Sequence, residues 1–167
     1  SLTASGPKAY VDTTFTVTIQ TTAAVGQLVS AVDAFVDFDP TYLEVVDADP
    51  DTEGVQIADG VSLTTHLNNV VDNDAGTIDY SAGKLSSPPS GSFPVATITF
   101  RAKADTGATP TPITFSLSGT RTSMAAYSGS AYGGTHVDSS AAITFDVPLS
   151  LLPAANDVTV GQVFPVT

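Results

Sequence analysis

Cysteine and tryptophan are absent from this 167-residue sequence, and only five residues are lysine or arginine. Without cysteine no disulfide can brace the fold, so a hydrophobic core must hold it alone. Without tryptophan, a planar aromatic strip of the kind that stacks on sugar rings has to be built from five tyrosines. The few cations face 17 Asp and Glu residues, leaving a net charge of −12. Such a field repels nucleic acid and anionic lipid surfaces, and it favours solubility, cations or a basic partner. No stretch approaches the roughly 20 apolar residues of a membrane-spanning helix. Strong helix formers are scarce too: Glu44 and Glu53 are the only glutamates, and there is one methionine.

What is present is a chain 42% hydrophobic and 13% charged. That length and apolar content suit one domain with a packed core. The polar surface falls to Thr, Ser, Asn and Gly, a balance expected of an extracellular or cell-surface β-protein. Period-two alternation dominates. Phe15, Val17 and Ile19 share one face of a strand. In the next run Val32, Ala34, Val36 and Phe38 point one way, and Asp33, Phe35 and Asp37 the other. Tyr42 to Val46 follows the Pro40 turn. Ser62 to Asn68 and Thr77 to Ala82 form a hairpin around Asp72-Asn73-Asp74-Ala75-Gly76. Val95 to Lys103, Ile113 to Ser118 and Ala142 to Val147 complete the strands, with Ile98, Phe100, Ile113, Phe115, Leu117, Ile143, Phe145 and Val147 expected inward. Short strands separated by Gly/Pro/Asp turns predict an all-β fold, an antiparallel β-sandwich. A polar stretch from Gly119 to Ser140 is expected to pack on its surface.

The run Val32-Asp33-Ala34-Phe35-Val36-Asp37-Phe38-Asp39-Pro40-Thr41-Tyr42-Leu43-Glu44-Val45-Val46 resembles the most recognisable stretch of bacterial cohesin domains. There an alternating strand ends in an aromatic-Asp-Pro turn and leads to Leu-Glu-Val. Asn73-Asp74-Ala75-Gly76-Thr77-Ile78 and Val95-Ala96-Thr97-Ile98-Thr99-Phe100-Arg101-Ala102 fit the same family in order. The resemblance implies a jelly-roll sandwich of about nine strands, residues 1–147, that binds a dockerin-type partner through one sheet face. It places the contacts on outward residues of the strand before the Asp-Pro turn. An Asn and, two residues later, an Asp are central contacts in the family; here Asp33 holds the second position and Ala31 the first. Reading the residues alone reaches the same face, where Phe35 stands between Asp33 and Asp37. Phe35 serves either as an interface anchor or as a residue packed beneath the Gly119–Ser140 stretch.

Two other features carry expectations. Asp47, Asp49, Asp51 and Glu53 alternate on a tight loop, which suits the hard oxygen donors that calcium takes, although such turns are also simply solvated. No cofactor is otherwise required. After a linker at 148–155, the segment 156–167 repeats the first strand: Val160, Phe164, Val166 and Thr167 match Val11, Phe15, Val17 and Thr18 in spacing. That tail, with Val158, Val160, Phe164 and Val166 as its apolar residues, is expected either to begin a next module or to pair with the sheet edge of another copy. The second case makes a head-to-tail structural subunit or filament. Catalysis is not expected, because His66 and His136 lie on separate segments without a nucleophile motif. A carbohydrate-binding module using Tyr127 and Tyr132 is a further alternative.

Overall fold

The structure is a computed structural model, and it describes residues 1–127, 130–132 and 134–145. Among these no helix occurs. The extended segments are β1 (Leu2–Ala4), β2 (Lys8–Tyr10), β3 (Thr14–Thr22), β4 (Val29–Phe38), β5 (Leu43–Val45), β6 (Ala58–Asp59), β7 (Thr65–Asp72) and β8 (Thr77–Gly83). They continue as β9 (Ser92–Ala102), β10 (Thr111–Phe115), β11 (Leu117–Ser118), β12 (Arg121–Thr122), β13 (Met124–Tyr127), β14 (Ser130–Tyr132) and β15 (Ser139–Thr144).

Two layers result. In the first, β1, β3 and β9 lie side by side, and β5 and β6 pair in turn along β9. In the second, β7–β8–β4 continues into β10 and β13, which pair with successive parts of β4; β15 and β2 follow β10. The chain enters in the first layer as β1 and crosses at Ser5-Gly6-Pro7 into the second as β2. This crossing makes β2 run parallel to β15, with Ala9 opposite Ile143, so the sandwich is not purely antiparallel. Taking β1–β2 as one strand that changes sheets, and β10–β13 as one interrupted strand, leaves β6, β11, β12 and β14 as short additions to a nine-stranded sandwich.

The alternation read from the sequence builds the core. Val17, Ile19, Val32, Ala34, Val36, Phe38, Ile78, Tyr80, Ile98, Phe100, Ile113 and Ile143 are all buried between the layers. Phe100 contacts Phe15 and Phe38 at ring-centroid distances of 5.7 and 5.2 Å. A bulge opposite Ile19/Gln20 places both Val95 and Ala96 inside, where strict alternation allows one. Two inward expectations fail. Leu117 is 54% exposed because β10 leaves β4 after Phe115, and Phe145 is 61% exposed just beyond the end of β15. Val147, the linker at 148–155 and the tail lie outside the described residues.

Two asparagines substitute for missing strand neighbours. The backbone N–H of Val45 donates to Asn73 Oδ1 at 2.8 Å, and Asn73 Nδ2 donates to the Val45 carbonyl at 3.0 Å. Asn69 treats Ile57 the same way, at 3.0 and 2.8 Å. Each amide satisfies one donor and one acceptor, as a paired strand would, and ties the β7–β8 hairpin to the edge of the first layer.

The Asp39-Pro40 turn and the β7–β8 turn are in direct contact. Phe38 N–H donates to the Gly76 carbonyl at 2.9 Å. Gly76 has φ +72°, and a Cβ there would stand 2.1 Å from the Phe38 carbonyl oxygen and 2.8 Å from Pro40 Cδ. The backbone cannot yield without breaking the β4–β8 register. Gly76→Ala should therefore cost roughly 3 kcal/mol or more, read as a fall of about 10 °C in melting temperature. A change of under about 2 °C would show that the two turns are not packed this way.

Tyr80 is buried on β8. Burial, reinforced by the charge and hydrogen bonding of Asp59, raises its phenol pKa far above the ordinary value. A raised folded-state pKa means the unfolded chain loses this proton first as pH rises. Stability is therefore intact below about pH 10 and falls above it. In alkaline titration, one of the five tyrosines should resist ionisation until unfolding. Tyr80→Phe should remove that late phase in the absorbance of phenolate.

Candidate functional site

Register places the outward residues of the second layer in rows across the sheet. Val70 on β7 stands opposite Asp79 on β8, which stands opposite Phe35 on β4. The next row runs Asn68, Ser81, Asp33 and Met124. Because Val32, Ala34 and Val36 are held in the core, Asp33, Phe35 and Asp37 must face outward, and each is partly exposed. The sequence thus located all three on one face. It did not locate their neighbours Val70, Asp79 and Ser81, since pairing partners are a property of register.

The face is interrupted at its centre. β10 leaves β4 at Phe115, a hairpin of β11 and β12 intervenes, and β13 rejoins β4 at Met124. Two serines close the base of the excursion. Ser116 N–H donates to the Phe35 carbonyl at 2.8 Å, while Ser123 N–H donates to the Ser116 carbonyl at 2.9 Å. Ser123 Oγ accepts the Phe35 N–H at 3.0 Å and contacts the Phe35 carbonyl at 2.9 Å. A side chain here takes the place of the ladder bonds that a straight strand would supply.

Arg121 reaches from the hairpin back over the sheet. Its Nε donates to Asp79 Oδ1 at 2.8 Å, and Nη1 donates to Asp37 Oδ1. Nη2 donates to the carbonyls of Val36 and Ile78 at 3.3 and 3.4 Å, and the guanidinium carbon lies 5.8 Å from the centre of the Phe35 ring. Partial burial opposes the charge, but the hydrogen bonds and charges of Asp37 and Asp79 outweigh it, so the Arg121 pKa rises further. Phe35 faces outward and is partly covered by the Gly119–Ser140 stretch, whose Arg121 guanidinium lies over its ring. Asp33 accepts a hydrogen bond from Ser81 Oγ at 2.6 Å and pairs with no cation among the described residues. The one available signal for Arg121 in the sequence was its rarity, as one of two arginines, inside a polar stretch.

In the acidic loop, Asp47 and Asp49 make hydrogen bonds within their own turn. Asp47 Oδ1 accepts the backbone N–H groups of Asp49 and Gln56 at 3.1 and 3.0 Å, and Asp49 Oδ2 accepts Thr52 Oγ1 at 2.8 Å. Asp51 and Glu53 are exposed. Among the described residues no three acidic or histidine side chains converge as metal ligands. The histidines make local contacts. His66 Nδ1 lies 3.1 Å from Asp59 and Nε2 lies 3.0 Å from the Leu63 carbonyl, while His136 packs edge-on to Phe115. Tyr127 hydroxyl accepts a hydrogen bond from Gln27 at 3.3 Å. The Tyr132 side chain and the tail residues Val158, Val160, Phe164 and Val166 lie outside the described residues.

No curated protein matches the sequence. Among solved structures, the chain is similar to a type II cohesin of Acetivibrio cellulolyticus from a cohesin–X–dockerin complex, with TM-score 0.60 and 16% identity over 85% of this chain and 92% of that one. It is similar to a type I cohesin of Pseudobacteroides cellulosolvens, at TM-score 0.64 and 16% identity over 89% and 94%. It is also similar to the cohesin module of a family 33 glycoside hydrolase from Clostridium perfringens, at TM-score 0.66 and 8% identity over 87% and 96%. At these identities the structural matches establish the fold. The family model of the cohesin domain matches residues 1–131, most of the sequence, and the chain therefore belongs to the cohesin family.

Proposed function

We propose that this domain is a non-catalytic protein-binding module, working outside the cell or at its surface, that docks a dockerin-type partner on the outward face of β7, β8, β4 and β13. Family membership supplies the class of activity, and the relative from Acetivibrio cellulolyticus is a cohesin seen with a dockerin.

One contrast supports the choice of face. The outward side of the first layer is a ladder of hydroxyls: Thr16 pairs with Thr99, Thr18 with Thr97, and Thr3 with Thr18. It presents no exposed large apolar side chain from β1, β3 or β9. The second layer presents Val70 at 56% exposure and Leu67 at 70% on β7, with Phe35 and Met124 partly exposed on β4 and β13. Carboxylates and a hydroxyl of Asp33, Asp79 and Ser81 stand between them. Apolar contacts ringed by hydrogen-bonding groups are what a protein interface needs; a threonine ladder is already satisfied by water.

The direct test is a titration of dockerin-type domains from the same genome against wild type, Asp33→Lys, Val70→Arg and Thr18→Lys. The first two should weaken binding about 100-fold, as substitutions at an interface centre do, and Thr18→Lys should leave it unchanged. All three side chains face out of the core, so each variant should still fold, and a retained melting transition checks that it does. If Thr18→Lys weakens binding and Val70→Arg does not, the partner uses the opposite face.

A further inference from the structure

Beyond the base held by Ser116 and Ser123, the β11–β12 hairpin reaches the docking face through Arg121. Leu117, Ser118, Gly119 and Thr120 are exposed, so the tip brings no buried apolar group to the contact. Arg121, with its side chain 27% exposed, is the part that enters the surface. The recess it fills consists of the Asp37 and Asp79 carboxylates, the carbonyls of Val36 and Ile78, and the face of the Phe35 ring. Every component accepts a hydrogen bond or attracts a cation. Asp37 and Asp79 are diagonal neighbours, because Asp37 pairs with Thr77 and Asp79 with Phe35. Emptied, the recess would hold two like charges side by side with no counter-ion.

We infer that Arg121 is the specificity-determining residue of this face: from within the chain it occupies a recess whose chemistry takes the guanidinium of a partner's arginine. The inference rests on the docking reading above. Its consequence is exclusion. A partner that places a basic side chain over Phe35 and Asp79 meets Arg121 and is repelled, and the hairpin stands as a wall beside that position. The partner accepted is one that brings its hydrogen-bond donor to Asp33 and its apolar side chains to Val70 and Leu67. Selection works here by an element that blocks the wrong partner as well as by contacts that hold the right one.

The recess can be probed without knowing the partner. N-acetyl-arginine methylamide is titrated into isotope-labelled protein, and the amide signals of Phe35, Asp37 and Asp79 are followed. In Arg121→Ala they should shift saturably, whereas wild type should bind at least about 10-fold more weakly, the difference expected for charge-assisted hydrogen bonds already satisfied internally. Adding Asp37→Asn and Asp79→Asn to Arg121→Ala should abolish the shifts, and neutral N-acetyl-glutamine methylamide should produce none. Because the hairpin tip lies outside the core, retention of the melting transition confirms that each variant is folded. Equal response of wild type and Arg121→Ala, or no saturable response of the variant, overturns the recess. A panel of dockerin-type domains then reads selectivity: Arg121→Ala should gain partners with a basic contact residue. An unchanged partner range overturns the specificity role even if the probe binds. If no dockerin binds either protein, the docking reading fails and the specificity role with it, while the titration still decides the recess.

Discussion

The close approach of Gly76 to the Phe38 carbonyl is the constraint on which the rest of the second layer depends. It locks the turn after β7 against the turn after β4, and so fixes which residue of β8 lies opposite which residue of β4. A slip by one position would exchange the two faces of β8, turning Ile78 and Tyr80 outward and Asp79 and Ser81 into the core. Instead, the apolar set of β4 meets the apolar set of β8, and the polar residues of both strands are forced onto one surface. The arrangement of the docking face is thus a by-product of packing its reverse side.

A second dependence runs through the interruption of the sheet at Ser116 and Ser123. A continuous strand beside β4 would have given Phe35 ordinary ladder bonds and left its ring open to solvent. Breaking the strand required polar substitutes for those bonds, which the two serines supply. It also released a hairpin long enough to carry Arg121 back over the sheet. The cation brought there offsets one of the two charges of Asp37 and Asp79 in a chain of net charge −12. Partial burial and two carboxylate partners make this clamp stronger than an ordinary exposed ion pair, which contributes little.

The edge of the first layer is joined to the second by two asparagine side chains and by one backbone bridge, in which Val71 N–H donates to the Val55 carbonyl at 3.0 Å. Asn73 and Asn69 each pair with one backbone residue, Val45 and Ile57, in the pattern of a ladder. This gives the motif Asn73-Asp74-Ala75-Gly76 two distinct purposes. Asn73 stitches the layers together, and Gly76 seats the Asp39-Pro40 turn. Asp72 adds a third contribution by accepting the backbone N–H groups of Asp74 and Ala75. Two of the three segments that carry the family resemblance are thus in direct contact.

By itself the sequence determined the class of fold, the inward set of β3, β4 and β9, and the outward placement of Asp33, Phe35 and Asp37. Each of these follows from local alternation, where the side-chain direction of one residue fixes that of its neighbours two positions away. Where alternation ceased to apply, prediction failed: Leu117 and Phe145 continue an apolar pattern past the point where their strands leave the sheet. The parallel β2–β15 pair, the amide stitches and the Arg121 clamp were decided only by tertiary structure. All of them join residues far apart in the chain, such as Arg121 and Asp37, whose meeting depends on how the intervening strands close around the core. Local pattern carries no information about that closure, because the same alternating strands satisfy their own periodicity in any of several pairings.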